Sequence, residues 1–95
     1  MLTRDQYVAK MKKQLDEWSA EMDTLEAKVR KSREDARAKY QEQLNALRAK
    51  RLEGQKRLDA IKAATGDSWE QLKAETENVW EALKDSVHAF KAHFK

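Results

Sequence analysis

In a chain of 95 residues without cysteine, the two histidines, His88 and His93, are the side chains best suited to hold a transition metal or move a proton. They stand five apart, about 140° around an α-helix, and so do not converge as the i, i+4 pair of a helical zinc site does. The sequence holds no nucleophile with an adjacent base, no glycine-rich phosphate loop and no EF-hand loop. Carboxylates are plentiful, but Glu26 with Arg30, Asp35 with Lys39 and Glu53 with Arg57 have the spacing of solvated helix-face pairs. The reading is non-enzymatic, with no catalytic residue, metal or cofactor expected.

What remains is electrostatic and apolar chemistry. Lys28 to Lys39 and Arg48 to Arg57 form a basic zone that could meet nucleic-acid phosphates, although Glu34, Asp35, Glu42 and Glu53 interrupt it and only Tyr40 could stack. Nucleic acid is therefore the lowest-ranked partner. Trp69 and Trp80, with Val79, Leu83, Val87, Phe90 and Phe94, give the last segment a broad apolar face that could enter a groove or lie on a lipid surface. That segment is net acidic, so packing within a protein core is favoured over a membrane.

The elements that would position these groups are helical throughout. Apolar residues recur at steps of three and four: Tyr7, Met11, Leu15, Trp18, Met22, Leu25, Val29, then Tyr40, Leu44, Leu47, Leu58, Ile61, Trp69, Leu72, Val79, Leu83, Val87 and Phe90. With Ala36 and Phe94 also on the stripe, and Ser32, Arg51, Gly54, Thr65 and Thr76 as weak members, the period is about 3.63 residues, nearest a straight helix and carrying 11-residue echoes such as Tyr7, Trp18, Val29 and Tyr40. Charged residues make up 39%, and there is no proline, as in long helices and coiled coils.

Punctuation is sparse. Thr3 with Gln6 reads as a capping box, with Leu2 and Tyr7 as a staple, so a helix should begin near Arg4. Gly66 suits a left-handed helix end, and Asp67 with Glu70, or Ser68 with Gln71, could cap the next helix. Gly54 reads as a glycine tolerated inside a helix. The expectation is an all-α chain with one domain: a long helix over about 4–65, a turn at Gly66, Asp67 and Ser68, and a shorter antiparallel return helix over about 67–94.

Charge supports the reversal. Residues 1–27 hold four basic and six acidic groups, residues 28–62 twelve and five, and residues 63–95 four and six. An acidic return helix then faces a basic stretch, which helps to choose the register. Residues Tyr40 to Phe90 of the stripe would pack within that hairpin. The arm of Tyr7, Met11, Leu15, Trp18, Met22, Leu25 and Val29 would stay uncovered, so self-association into a homodimer or larger bundle is expected.

Thr3-Arg4-Asp5-Gln6-Tyr7-Val8, Gln14-Leu15-Asp16-Glu17-Trp18, Gly66-Asp67-Ser68-Trp69-Glu70-Gln71-Leu72-Lys73 and Trp80-Glu81-Ala82-Leu83-Lys84 resemble segments of small bacterial coiled-coil-domain proteins of the stress-response-like type. The resemblance implies a cytoplasmic helical protein linked to stress, without enzymatic residues. In period and charge density the chain is also similar to late-embryogenesis-abundant group 3 proteins and exchangeable apolipoproteins, although it lacks their consensus repeats. No signal-peptide core or run of about 18 apolar residues occurs, so a cytoplasmic location is expected. The function expected is that of a structural or interaction protein that self-associates through the stripe; an amphipathic lipid-surface or client-protecting protein is the alternative.

Overall fold

The first helix begins where its capping box dictates. In the computed structural model, which describes residues 2–94, Thr3 Oγ1 accepts from the Gln6 N–H at 3.2 Å and Gln6 Oε1 accepts from the Thr3 N–H at 3.0 Å. Helix α1 then runs over Arg4–Arg30, α2 over Glu34–Ala63 and α3 over Trp69–Lys91. Short 3-10 turns at Gly66–Ser68 and Ala92–Phe94 precede and end α3. The three helices run up, down and up in a bundle of 52 × 17 × 17 Å.

The helix expected over 4–65 is thus two helices. Lys31 caps α1 with its N–H donated to the Lys28 and Val29 carbonyls, Ser32 donates from its N–H to Val29 O and from its hydroxyl to Lys28 O, and Arg33 is extended at φ −59°, ψ 145°. Three residues reverse the chain without a glycine or a positive φ. The physical cause is the stripe: a straight helix to residue 65 would leave the apolar face of its first half in water, whereas folding back buries it.

The reversal at Gly66 stands as expected, with Gly66 at φ 62°. Its capping does not. Neither Asp67 nor Ser68 bonds the first turn of α3; Ser68 Oγ donates backward to Thr65 O at 2.7 Å, and a 3-10 turn leads into the helix. A 3-10 turn satisfies the leading backbone groups locally, so a side-chain cap is dispensable there.

The core is the stripe itself. Tyr7, Met11, Leu15, Trp18, Met22, Leu25 and Val29 from α1 meet Leu44, Leu47, Leu58 and Ile61 from α2 and Trp80, Leu83, Val87 and Phe90 from α3, all buried. Tyr40, Trp69, Leu72 and Val79 are half-buried against them. Weak members of the stripe also have places. Thr76 is buried with its hydroxyl donated to Leu72 O at 2.8 Å, and Arg51 reaches from α2 to the Ser19 hydroxyl.

Gly54 is more than a tolerated interruption. A Cβ there would stand 3.0 Å from Trp80 Cζ3, 3.2 Å from Trp80 Cη2 and 3.4 Å from Leu15 Cδ2. The indole of α3 lies against bare backbone on α2, and the roughly 1 kcal/mol helix penalty of glycine is offset by burial of one of the largest side chains in the core.

Candidate functional site

The expected self-association residues do not form a surface. Every residue from Tyr7 to Val29 in that set is at most 7% exposed within one chain. Leu2 and Leu52 are the large apolar residues left exposed among those described, and apolar residues scattered singly over a surface require no partner. The uncovered arm that made a second chain necessary is a consequence of the unbroken helix, and it disappears with the turn at 31–33.

Folding also sorts the basic zone into two halves. From α2, Arg48 contacts Asp23 at 3.2 Å and Glu26 at 3.0 Å on α1, Arg57 contacts Glu75 on α3 at 3.0 Å, and Lys50 donates to Ser86 Oγ at 2.8 Å. In the half from Arg48 to Arg57, every cation but the exposed Lys56 reaches a side chain of another helix. The other half is gathered at one end of the bundle, where α1 stops, α2 starts and α3 stops.

At this end Lys28, Arg30, Lys31, Arg33, Arg37 and Lys39 are all exposed. Residues 28–39 hold six basic and two acidic side chains, a net charge of +4 against +3 for the whole chain. Arg30 pairs with Glu26 at 3.6 Å and Arg33 with Asp35 at 3.9 Å, while Arg37 donates to Ser32 O at 3.1 Å. Asp35 therefore faces Arg33 instead of the expected Lys39. Lys28, Lys31 and Lys39 have no carboxylate within 4.0 Å among the described residues.

Part of this charge has a structural purpose. Lys28 and Arg30 sit in the last turn of α1, His88 and Lys91 in the last turn of α3, and Glu34 and Asp35 in the first turn of α2, each with the sign that the helix dipole favours. Lys31, Arg33, Arg37 and Lys39 exceed that requirement.

An aromatic cluster stands at the same end, as spacing along the chain could not reveal. Tyr40 lies 5.6 Å from His93, 5.2 Å from Phe94 and 6.3 Å from Phe90 between ring centroids. Phe94 also borders a groove of about 330 Å³ with Leu25 and Thr24, flanked by Lys28 and by the ion pair of Lys91 with Glu21 at 3.4 Å. The arrangement can attract anions and offers an apolar or π surface beside them.

A second feature lies between α1 and α3, where Tyr7 meets Trp69 at 5.9 Å and Trp18 meets Trp80 at 6.2 Å. Tyr7 and Trp80 line a groove of about 380 Å³, and their hydroxyl and Nε1 are buried without a protein hydrogen-bond partner. Burial, with a smaller contribution from the Glu77 charge, pushes the Tyr7 phenol up to about 12. Lys73 Nζ lies 5.3 Å from the Tyr7 ring centroid, within reach of a cation–π contact with the ring face.

Among the described residues no three His, Asp or Glu side chains converge as a metal cluster, and no helix is long and apolar enough to cross a membrane. Comparison with protein-family models, curated proteins and solved structures gives no match for this chain.

Proposed function

We propose that this chain is a non-enzymatic interaction protein that binds polyanions through its basic end. The observation that carries the reading is the unequal fate of the basic zone: Arg48, Lys50, Arg51 and Arg57 are engaged by side chains of α1 and α3, whereas the six cations of Lys28–Lys39 are all exposed and exceed the carboxylates beside them. Binding by clustered Lys and Arg is electrostatic and falls steeply with salt, because the partner's counterions are released. The reading includes a cytoplasmic setting, compatible with a chain that has no cysteine to oxidise.

The test is fluorescence anisotropy with a labelled single-stranded oligonucleotide and with heparin, at low and moderate salt. Lys31→Gln/Arg33→Gln/Lys39→Gln together should weaken binding at least about tenfold and flatten the salt dependence. Lys56→Gln/Lys62→Gln, the same kind of change at the opposite end of α2, should have little effect. Absence of binding at low salt, or equal losses in both variants, rejects the reading. Binding to anionic vesicles alone would favour the lipid-surface alternative.

Self-association is the second reading. It is supported by one observation: the stripe keeps its phase across the turn at 31–33, as in a single helix.

A further inference from the structure

From the first turn we infer that this chain also forms a domain-swapped dimer, in which residues 31–33 become helical and each α1 packs on α2 and α3 of a second copy. The inference is independent of anion binding and rests on three features of the Lys31–Arg33 turn.

Phase comes first. Val29 and Leu47 are eighteen residues apart, about five full helical turns, and Val29 and Tyr40 differ by only about 20° around a continuous helix. If 31–33 straightened, the faces that now meet across the hairpin would become one stripe on one side of a helix over 4–63. Two such helices side by side and antiparallel, related by a two-fold axis near Ser32, would set α1 of each against α2 of the other. Each contact of the closed bundle, including Arg48 with Asp23 and Glu26, would be remade between copies. Swapping therefore leaves the core energetics unchanged and closes on itself without open-ended growth.

Nothing in the turn resists straightening. It contains no glycine or proline and no positive φ, so each residue is free to adopt helical angles. The start of α2 has no side-chain cap: Arg33 precedes it with no side-chain hydrogen bond to the first turn. Charge does not favour opening, because the two-fold axis near Ser32 sets the cations of residues 28–39 of one copy beside those of the other. Against opening stand the entropy of joining two chains and the local bonds from Ser32 to Lys28 O and from Arg37 to Ser32 O, so the balance shifts with concentration.

The experiment uses the absence of native cysteine. Asp23→Cys/Arg48→Cys places one thiol on α1 and one on α2, at positions whose longer native side chains now meet at their tips at 3.2 Å, a gap that a short bis-maleimide cross-linker spans and a direct disulfide does not. The variant is unfolded, refolded at roughly 1 µM and at roughly 1 mM, treated with the cross-linker and read by mass under denaturing conditions. A cross-link within one chain at the low concentration and covalent dimers of about twice 11.1 kDa at the high one are expected. Ser32→Ala/Arg33→Ala in this background should raise the dimer fraction several-fold. Arg33→Pro should abolish it: φ −59° already suits proline, no backbone bond of the Arg33 N–H is present in the closed turn, and a proline at that place disrupts a continuous helix. A product that stays within one chain at both concentrations overturns the inference, and so does a dimer fraction equal in the alanine and proline variants, which would mark an ordinary surface contact.

Discussion

The turn at Gly66 and the turn at Lys31–Arg33 both reverse the chain, but by different means. Gly66 adopts φ 62°, with nothing within 4 Å of where a Cβ would be, so its requirement for glycine is purely one of backbone conformation. Lys31, Ser32 and Arg33 contain no residue that demands a turn, and the reversal there follows from the apolar faces that it brings together. One turn is specified by a residue and the other by the packing behind it. A turn of the second kind is undone whenever the same packing becomes available from elsewhere, and a second copy of the chain supplies it.

The contrast can be broken most forcefully from the core. Trp18 is 7% exposed and lies 6.2 Å from Trp80, so Trp18→Ala should cost about 3 kcal/mol. If packing holds the first turn, hydrogen exchange in this variant should accelerate through α1 and residues 28–36 while α2 and α3 near Gly66 keep more protection. Equal acceleration at both turns would remove the distinction.

Alkali attacks the opposite end. Tyr7 packs on Trp69, directly after the Gly66 turn, and its phenol is raised to about 12 chiefly by burial. The neutral form is therefore bound more tightly in the folded state than in the unfolded chain, where the phenol titrates near 10. Stability from this group is complete below about pH 10 and is lost as pH rises through about 12, up to roughly 2 kcal/mol. Tyr7→Phe should remove that loss, and near neutrality it should cost little, because the hydroxyl is buried without a protein partner. Urea melts of both proteins from pH 9 to 12 make the comparison; parallel curves would dissociate Tyr7 from the alkaline transition.

Backbone substitution separates the turns directly. Gly66→Ala should destabilise by about 1–2 kcal/mol, the cost of a Cβ in left-handed backbone, whereas Ser32→Ala should change the closed bundle much less. Thermal melts at one low concentration keep association out of the measurement. A neutral Gly66→Ala would mean that this turn, too, is held by its surroundings.

The same division explains what could be read from sequence. The stripe named the core residues because helical periodicity depends only on spacing, and Gly66 was legible because its backbone needs a particular residue. The first turn left fainter signals: Ser32 and Ala36 are the only stripe members between Val29 and Tyr40, and Glu34 and Asp35 supply the acidic first turn of a new helix. Without glycine or proline these marks are weaker than an unbroken period. The basic zone was visible as composition, but its division was not, since Asp23, Glu26 and Glu75 become neighbours of Arg48 and Arg57 only through tertiary packing. Gly54 illustrates the same limit: its purpose lies in Trp80, 26 residues away in the chain.

The smallest expected effect is a gain, and it comes from repairing the first turn. Arg33 precedes α2 without a side-chain cap and adds a cation to a crowded tip. Arg33→Asp supplies a carboxylate that can accept from the first-turn N–H groups of α2, and it turns a charge repelled by five cations into one attracted to them, partly offset by the lost pair with Asp35 and by the neighbouring Glu34. Capping contributes about 1 kcal/mol and the exposed charge only a few tenths, so most of the gain should survive in high salt, which screens the second contribution and leaves the first largely intact. The same substitution should weaken binding to heparin, because it lowers the charge of the proposed binding end. Greater stability with weaker binding is the expected signature of a tip whose composition serves a partner at the expense of its own turn. Lower stability in Arg33→Asp would mean that Arg33 itself holds the reversal, and the first turn would then be residue-specified like the second.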